Sequence, residues 1–387
     1  MLAVATKLGL TSFGGPVAHL GYFHNEYVER RRWLTEDAYA EVVALSQALP
    51  GPASSQTGIA IGLMRAGMPG ALMAWIGFTL PSALALVAFG YGVNEIGNVA
   101  EAEWLHGLKL AAVAIVALAV WSMARSLAPD RERGTIAVLA AILMLSWTAA
   151  GAQVAIIALG GVAGWLLFRS SASGGQVAFP AFIGRNVALG AWLLFFGLLL
   201  ALPIAASVAE SQALDLFDSF YRTGSLVFGG GHVVLPLLER EVVQPEWVTQ
   251  DDFLAGYGAA QAVPGPLFTF SAYLGTVMRP APSGVLGATI ALTAIFLPSF
   301  LLIAGGMPLW RLLRTSRGFQ AALRGVNAAV VGLLLAALYD PVWTSSVLAP
   351  EDFAIAVAAF GLLVLWKAPP WAVVVFAALA AEGVALL

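Results

Sequence analysis

The chain states much of itself twice. Residues 33–52 read WLTEDAYAEVVALSQALPGP and residues 247–266 read WVTQDDFLAGYGAAQAVPGP, in register and without a gap. Phe13-Gly14-Gly15 returns as Phe228-Gly229-Gly230, Met64-Arg65 as Met278-Arg279, Leu80-Pro81-Ser82 as Leu297-Pro298-Ser299, and the run from Gly107 as the run from Gly325. A period of about 215 residues is far too long for a solenoid, whose units run roughly 20–50 residues. It predicts two copies of one domain, over residues 1–170 and 212–387, with a Ser/Gly-rich linker and one extra hydrophobic helix across 171–211. In a very hydrophobic chain, such a duplication points to a transporter.

The composition places both copies in a membrane. Hydrophobic residues make up 60% and charged residues 11% of the chain, against roughly 45–50% and 25% in soluble domains. Apolar stretches at 69–93, 104–124, 134–150, 187–209, 283–306, 320–339 and 369–387 are long enough to cross a hydrocarbon layer of about 30 Å. The short alternating strands of a membrane β-barrel are absent from the sequence. The expected fold is therefore an all-α polytopic membrane protein with about 9–13 membrane segments. A net charge of −3 gives nucleic acid nothing to bind, and zero cysteines exclude disulfides, thiol catalysis and thiolate metal sites. Four scattered histidines make no metal cluster, and no cofactor is expected. The N-terminus lacks the charged start and small-residue cleavage site of a secretory signal, and is read as mature chain.

Loop charges set the orientation, because cytoplasmic loops carry excess Lys and Arg. The loop after 69–93 holds Glu95, Glu101 and Glu103, and its counterpart holds Arg311, Arg314, Arg317 and Arg324. The next loop holds Arg125, Arg131 and Arg133, against Asp340, Glu351 and Asp352. Arg30–Arg32 faces a mostly acidic hairpin, Glu239 to Asp252. Three matched loops reverse sign, so the second copy is expected to be inverted. The charges fit best if the FGG and PGP segments dip in and return, giving about nine spans and four re-entrant segments. The N-terminus then lies inside and the C-terminus outside. Arg222, Arg240 and Arg279 are exceptions to this pattern, and the alternative counts about thirteen spans.

Chemistry concentrates at Gln47-Ala-Leu-Pro50-Gly51-Pro52 and Gln261-Ala-Val-Pro264-Gly265-Pro266. Two prolines around a glycine stop a continuous helix. Within a membrane, such a break is tolerated where protein buries it or where it lines a water-filled cavity. The half-helix after it offers free N–H groups and a positive dipole end, a seat for an anion. In the first copy that end carries Ser54, Ser55, Gln56 and Thr57; in the second it is the less polar Leu267-Phe268-Thr269-Phe270-Ser271. A packing kink is the bland alternative. The glycines of Phe13-Gly14-Gly15 and Phe228-Gly229-Gly230 suit either close approach of a ligand or tight helix packing.

Ionisable residues in apolar stretches are costly and so are candidates. Lys109, opposite Asn327 in the repeat, either offers positive charge to an anion or snorkels to the interface. Glu26 and Glu241 match across the copies, as do Asp37 and Asp251, and Glu41 lies inside the PGP segment. Proton coupling and simple helix capping are both open to such carboxylates. His232 is a further proton-carrier candidate, with packing as the alternative.

LTSFGGPVAHLGYF, RRWLTEDAYAEVVALSQALPGP and FTLPSALAL resemble the chromate ion transporter family, and FGGGHVVLPLLE, WVTQDDFLAGYGAAQAVPGP and GVNAAVVGLL resemble its C-terminal domain. The resemblance covers nearly the whole chain, in the long two-domain form; a short leader before Lys7 is the one departure. It implies a multi-pass carrier of the inner membrane that expels chromate, driven by the proton motive force, with sulfate as the competing analogue. The implied partners are that oxyanion and the lipid bilayer, with a homodimer as an open assembly. The alternative is an oxyanion or sulfate channel, or an exchanger with another natural substrate. No phosphate-binding GxxxxGK[ST] loop is present to drive transport with ATP, and an enzymatic role finds no support.

Overall fold

The PGP segments repeated in the two halves mark where helices end, while the repeated prolines Pro81 and Pro298 lie inside helices. The protein, seen here in a computed structural model, is described over residues 1–13, 15–96, 103–147, 152–169, 183–228 and 233–385. Among the described residues there are sixteen α-helices and no strand. The first half supplies α1 (Leu2–Thr11), α2 (Gly15–His24), α3 (Glu36–Ala48), α4 (Ala53–Ile96), α5 (Glu103–Leu127), α6 (Arg131–Ser146) and α7 (Ala152–Phe168). The extra helix α8 (Arg185–Ala209) follows. The second half supplies α9 (Gln212–Leu226), α10 (Val234–Val242), α11 (Gln250–Ala262), α12 (Phe270–Val277), α13 (Gly284–Thr315), α14 (Arg317–Ala337), α15 (Pro350–Val364) and α16 (Pro370–Ala385).

The doubled W-x-T motif is a helix start. Thr35 caps α3 by accepting from the Ala38 N–H, and Thr249 caps α11 by accepting from the Asp252 N–H. A threonine oxygen there satisfies one of the amides a helix leaves unpaired. Both helices run thirteen residues and stop where the PGP segments begin. The doubled Met-Arg ends the next helical stretch. In α4 the chain turns sharply at Ala66 and Gly67, the latter at φ 63°. In the second half the same place is a full gap, between Val277 and Gly284. Arg65 stacks over the Trp33 ring at 5.0 Å, and the Arg279 N–H donates to the Trp247 carbonyl at 2.8 Å.

Among the described residues, five helical stretches are long and apolar enough to cross a bilayer: Ala53–Val93, Glu103–Leu127, Arg185–Ala209, Gly284–Trp310 and Arg317–Trp343. The protein is an all-α, multi-pass membrane protein. α6, α7, α15 and α16 are apolar but only 15–17 residues long, about 22–26 Å at 1.5 Å per residue. The apolar stretch expected over 134–150 is thus cut short, because α6 ends at Ser146 and Trp147 is extended. α8 presents Leu193, Leu200, Ile204 and Val208 outward, each well over half exposed. That is the surface a lipid-facing helix needs, since hydrocarbon solvates apolar side chains.

The halves interleave. α5 packs on α15 and α16, while α14 packs on α6 and α7. Small residues bring the backbones together: a methyl at Gly107 would strike the Ala377 carbonyl, and one at Gly325 would strike the Gly160 carbonyl. Close approach through glycine replaces the hydrophobic drive that lipid does not supply. α11 also packs against α5 and α16, and a methyl at Gly258 would meet the Leu108 carbonyl.

Candidate functional site

The two PGP breaks are each closed by the opposite half of the chain. The Gly51 N–H donates to the Val227 carbonyl at 2.6 Å, and the Gly265 N–H donates to the Ser12 carbonyl at 2.9 Å. Val227 and Ser12 are the residues just before the two FGG motifs. The third doubled motif completes each crossing: the Cβ position of Gly51 lies 3.1 Å from Ser299 Oγ, and that of Gly265 lies 2.7 Å from Ser82 Oγ. Both glycines take left-handed backbone, φ 122° and φ 106°, a region that L side chains rarely enter. Each crossing therefore draws PGP from one half and the FGG-flanking and LPS residues from the other. No single motif contains a site.

The first crossing is the more polar. Ser54, Ser55, Gln56 and Thr57 are all buried at the start of α4. Gln56 Nε2 donates to the Pro50 carbonyl at 2.6 Å, which holds the break in shape. Its Oε1, the Ser55 Oγ and the Ser299 Oγ are buried without a protein partner. Buried polar groups are normally paired, and each orphan costs about 1–3 kcal/mol. Hydroxyls of this kind at a helix N-terminus are suited to an oxyanion. Ser54 Oγ meets His19 Nδ1 at 3.3 Å, and Thr57 Oγ1 donates to the Ala53 carbonyl. At the second crossing Thr269 and Ser271 turn back on the carbonyls of Pro266 and Phe268, while Ser12 Oγ and Thr79 Oγ1 are unpartnered.

Other sequence candidates are distributed around these crossings. Pro50, Phe13 and Phe228 are half-buried, Pro52 and Pro266 are buried, and Pro264 is half-buried. Gln47 is exposed; Gln261 is half-buried with an unpartnered Nε2. The expected symmetry between the two glutamines is thus not kept. Gly15 adopts φ 80°. Gly14, Gly229, Gly230 and His232 lie outside the described residues. Asn327 is half-buried with an unpartnered Oδ1.

Lys109 is paired at the far end of the helix that leads to the second break. Its Nζ donates to Asp251 Oδ1 at 2.8 Å, at the first turn of α11. The break lies beyond the other end of that helix, about 20 Å away along thirteen residues. The charge the sequence offered to an anion is held by a carboxylate. Lys109→Met is accordingly expected to lower thermal stability by about 1–2 kcal/mol, the loss of a pair buried on one side only. The apparent KM for substrate should stay within about twofold of wild type, as read by melting and transport on one preparation.

The carboxylate candidates separate in the same way. Glu26 sits at the hairpin end of α2, where Lys7, Arg30 and Arg31 contact it at 2.9, 3.2 and 2.7 Å. Burial pushes its carboxyl up, but the hydrogen bonds from Lys7 and Arg31 prevail and hold it down to about 2. A carboxyl lowered on folding stabilises the protein above its unfolded pKa, and that stability is lost as pH falls toward 2. Glu26→Gln should therefore lower the melting temperature at pH 7 and leave it nearly unchanged near pH 2, as thermal scans across pH will show. Glu41 is buried in α3 and accepts from Trp310 Nε1 at 2.9 Å. Glu241 lies 3.6 Å from Arg222, which also binds Asp218. Lys7–Glu26 and Arg222–Glu241 hold matching places in the two halves, so the exceptional Arg222 has its reason in a partner. Ser299, Ser82 and the Ser12 and Val227 carbonyls are not among the sequence candidates; the doubled Leu-Pro-Ser signals the two serines, and the doubled FGG the residues that precede it.

Apolar helices around a polar interior concentrated at two helix breaks define a multi-pass membrane transporter. The chain belongs to the chromate transporter family: the family model described as "Chromate transporter" matches residues 1–165 and 214–381. It is 28% identical to a chromate transport protein of Pseudomonas aeruginosa, over 93% of this chain and 86% of that protein. It is also 28% identical to one of Cupriavidus metallidurans, over 86% of this chain and 79% of that protein. An uncharacterized transporter of Bacillus subtilis is 31% identical over 109 residues, 28% of this chain and 60% of that protein. That relative is less than half as long as this chain. No solved structure matches.

Proposed function

We propose that the protein expels chromate from the cell as a secondary carrier of the inner membrane, driven by the proton motive force. Two inverted units present their breaks to a shared middle, and the first break holds the oxyanion. The observation that carries this reading is the set of buried, unpartnered oxygens at Ser55, Gln56 and Ser299 around the Gly51 crossing, in a chain of this family. Gly51 and Ser299 come from different halves, so relative movement of the halves makes or dismantles the seat. Neither break offers a paired lysine or arginine among the described residues, and hydroxyls with a helix dipole bind a tetrahedral dianion more loosely than a guanidinium would. Loose binding suits a carrier, which must release its cargo.

The charge of chromate supplies the direction. A potential of 100 mV is worth about 2.3 kcal/mol for each elementary charge moved. A dianion leaving a negative interior therefore gains about 4.6 kcal/mol, roughly a thousandfold or more in concentration. No proton exchange is required for this. Cells expressing the chain should hold several-fold less chromate than cells without it, and excess sulfate should narrow the difference. Equal chromate content in both would remove the proposal.

A further inference from the structure

A cavity of about 490 Å³ opens beside the first crossing, between α7, α9 and α10. Asp215, Asp218, Arg222, Thr223, Arg240 and Glu241 are among its lining residues. It reaches Leu226, next to the Val227 carbonyl that receives the Gly51 N–H. Thr223, one helical turn before Val227, is 2% exposed and its Oγ1 has no protein partner. Arg222 Nε is likewise buried and unpartnered. A polar chamber in which Arg222 and Arg240 face the carboxylates of Asp215, Asp218 and Glu241 thus reaches Leu226, one residue short of the carbonyl that closes the first break.

The matching place in the first half is built the other way round. There one carboxylate, Glu26, is clamped by Lys7, Arg30 and Arg31. Here one guanidinium, Arg222, is shared between two carboxylates, Asp218 and Glu241. Glu241 is the looser partner, at 3.6 Å and about one-quarter exposed. A guanidinium with five donors can trade a loosely held carboxylate for a tetrahedral oxyanion and keep its second partner.

Resting on the chromate-carrier reading, we propose that this cavity is the loading site for the oxyanion. The dianion takes the place of the Glu241 carboxylate on Arg222, contacts Thr223 and then passes one helical turn on to the break at Gly51. Glu241 is then a competitor of the cargo, a stand-in that keeps Arg222 neutralised when no anion is bound. Asp218 stays on Arg222 and holds it in place.

The test is equilibrium binding of radiolabelled chromate to the purified full chain, with transport measured in liposomes of phosphatidylethanolamine and phosphatidylglycerol. Glu241→Gln removes the competitor and should lower the Kd roughly threefold. Arg222→Gln removes the receiving charge and should raise it about tenfold or more, with Arg222→Lys in between. A merely structural ion pair predicts that both glutamine variants lose stability and that neither tightens binding. Opposite signs support the loading site; same-sign shifts, or none, overturn it. Wild type that neither binds nor moves chromate overturns the carrier reading itself. Wild type that does both, with same-sign variants, overturns only the loading site.

Discussion

Gly51→Ala is expected to abolish chromate transport while most of the protein still reaches the membrane folded. At φ 122° an L residue is strained, by roughly 1–2 kcal/mol for a left-handed backbone. The added methyl would also collide with the Gln56 side-chain amide and crowd Ser299 Oγ at 3.1 Å. Gln56 is flexible and can yield, so the fold survives. In yielding, it gives up the hydrogen bond that holds Pro50 and moves the oxygens proposed to meet the anion. Gly265→Ala makes the informative comparison. There the methyl lies 2.7 Å from Ser82 Oγ and 3.3 Å from the Phe78 carbonyl, a backbone atom with less freedom to give. Its main effect should be on folded yield. Size-exclusion profiles and vesicle transport on the same preparations separate the two; wild-type transport by Gly51→Ala would remove the first crossing from the mechanism.

The second large effect is expected from charge at the same place. Gln56→Glu puts a carboxylate beside the seat of a dianion. At about 5 Å and an effective dielectric of about 20, the repulsion is roughly 6–7 kcal/mol. Chromate affinity should fall more than about a thousandfold. Gln56→Met is the neutral control; it loses the Pro50 hydrogen bond without adding charge, and should cost about tenfold or less. Equal affinity in the two variants would show that no anion comes near Gln56.

These residues also show what a sequence makes legible. The doubled W-x-T and PGP strings are local punctuation, and local rules read them: Thr35 and Thr249 cap helices, and the PGP prolines follow their ends, whereas Pro81 and Pro298 of Leu-Pro-Ser lie inside helices. Mean hydropathy reads the long helices for the same reason, because burial in lipid is an average over a segment. The crossings are different. That Gly51 would bond to Val227 and abut Ser299 depends on how two halves interleave, and no spacing within one half encodes it. Lys109 shows the converse. An isolated lysine in an apolar helix advertises a charge, but its partner Asp251 lies 142 residues away in sequence. Matched positions were informative where the fold repeats a contact, as with Lys7–Glu26 and Arg222–Glu241. They misled where the halves differ, as with exposed Gln47 and half-buried Gln261.

The central claim is export of an oxyanion down the electrical gradient through the Gly51 crossing. Inverted membrane vesicles containing the chain, energised to a positive interior and given labelled chromate, test it most directly. The account predicts accumulation that collapses when valinomycin and potassium remove the potential, persists when nigericin removes only the pH difference, falls with excess sulfate, and is absent in Gly51→Ala. Accumulation that follows the pH difference alone, or that is the same without any gradient, would contradict it.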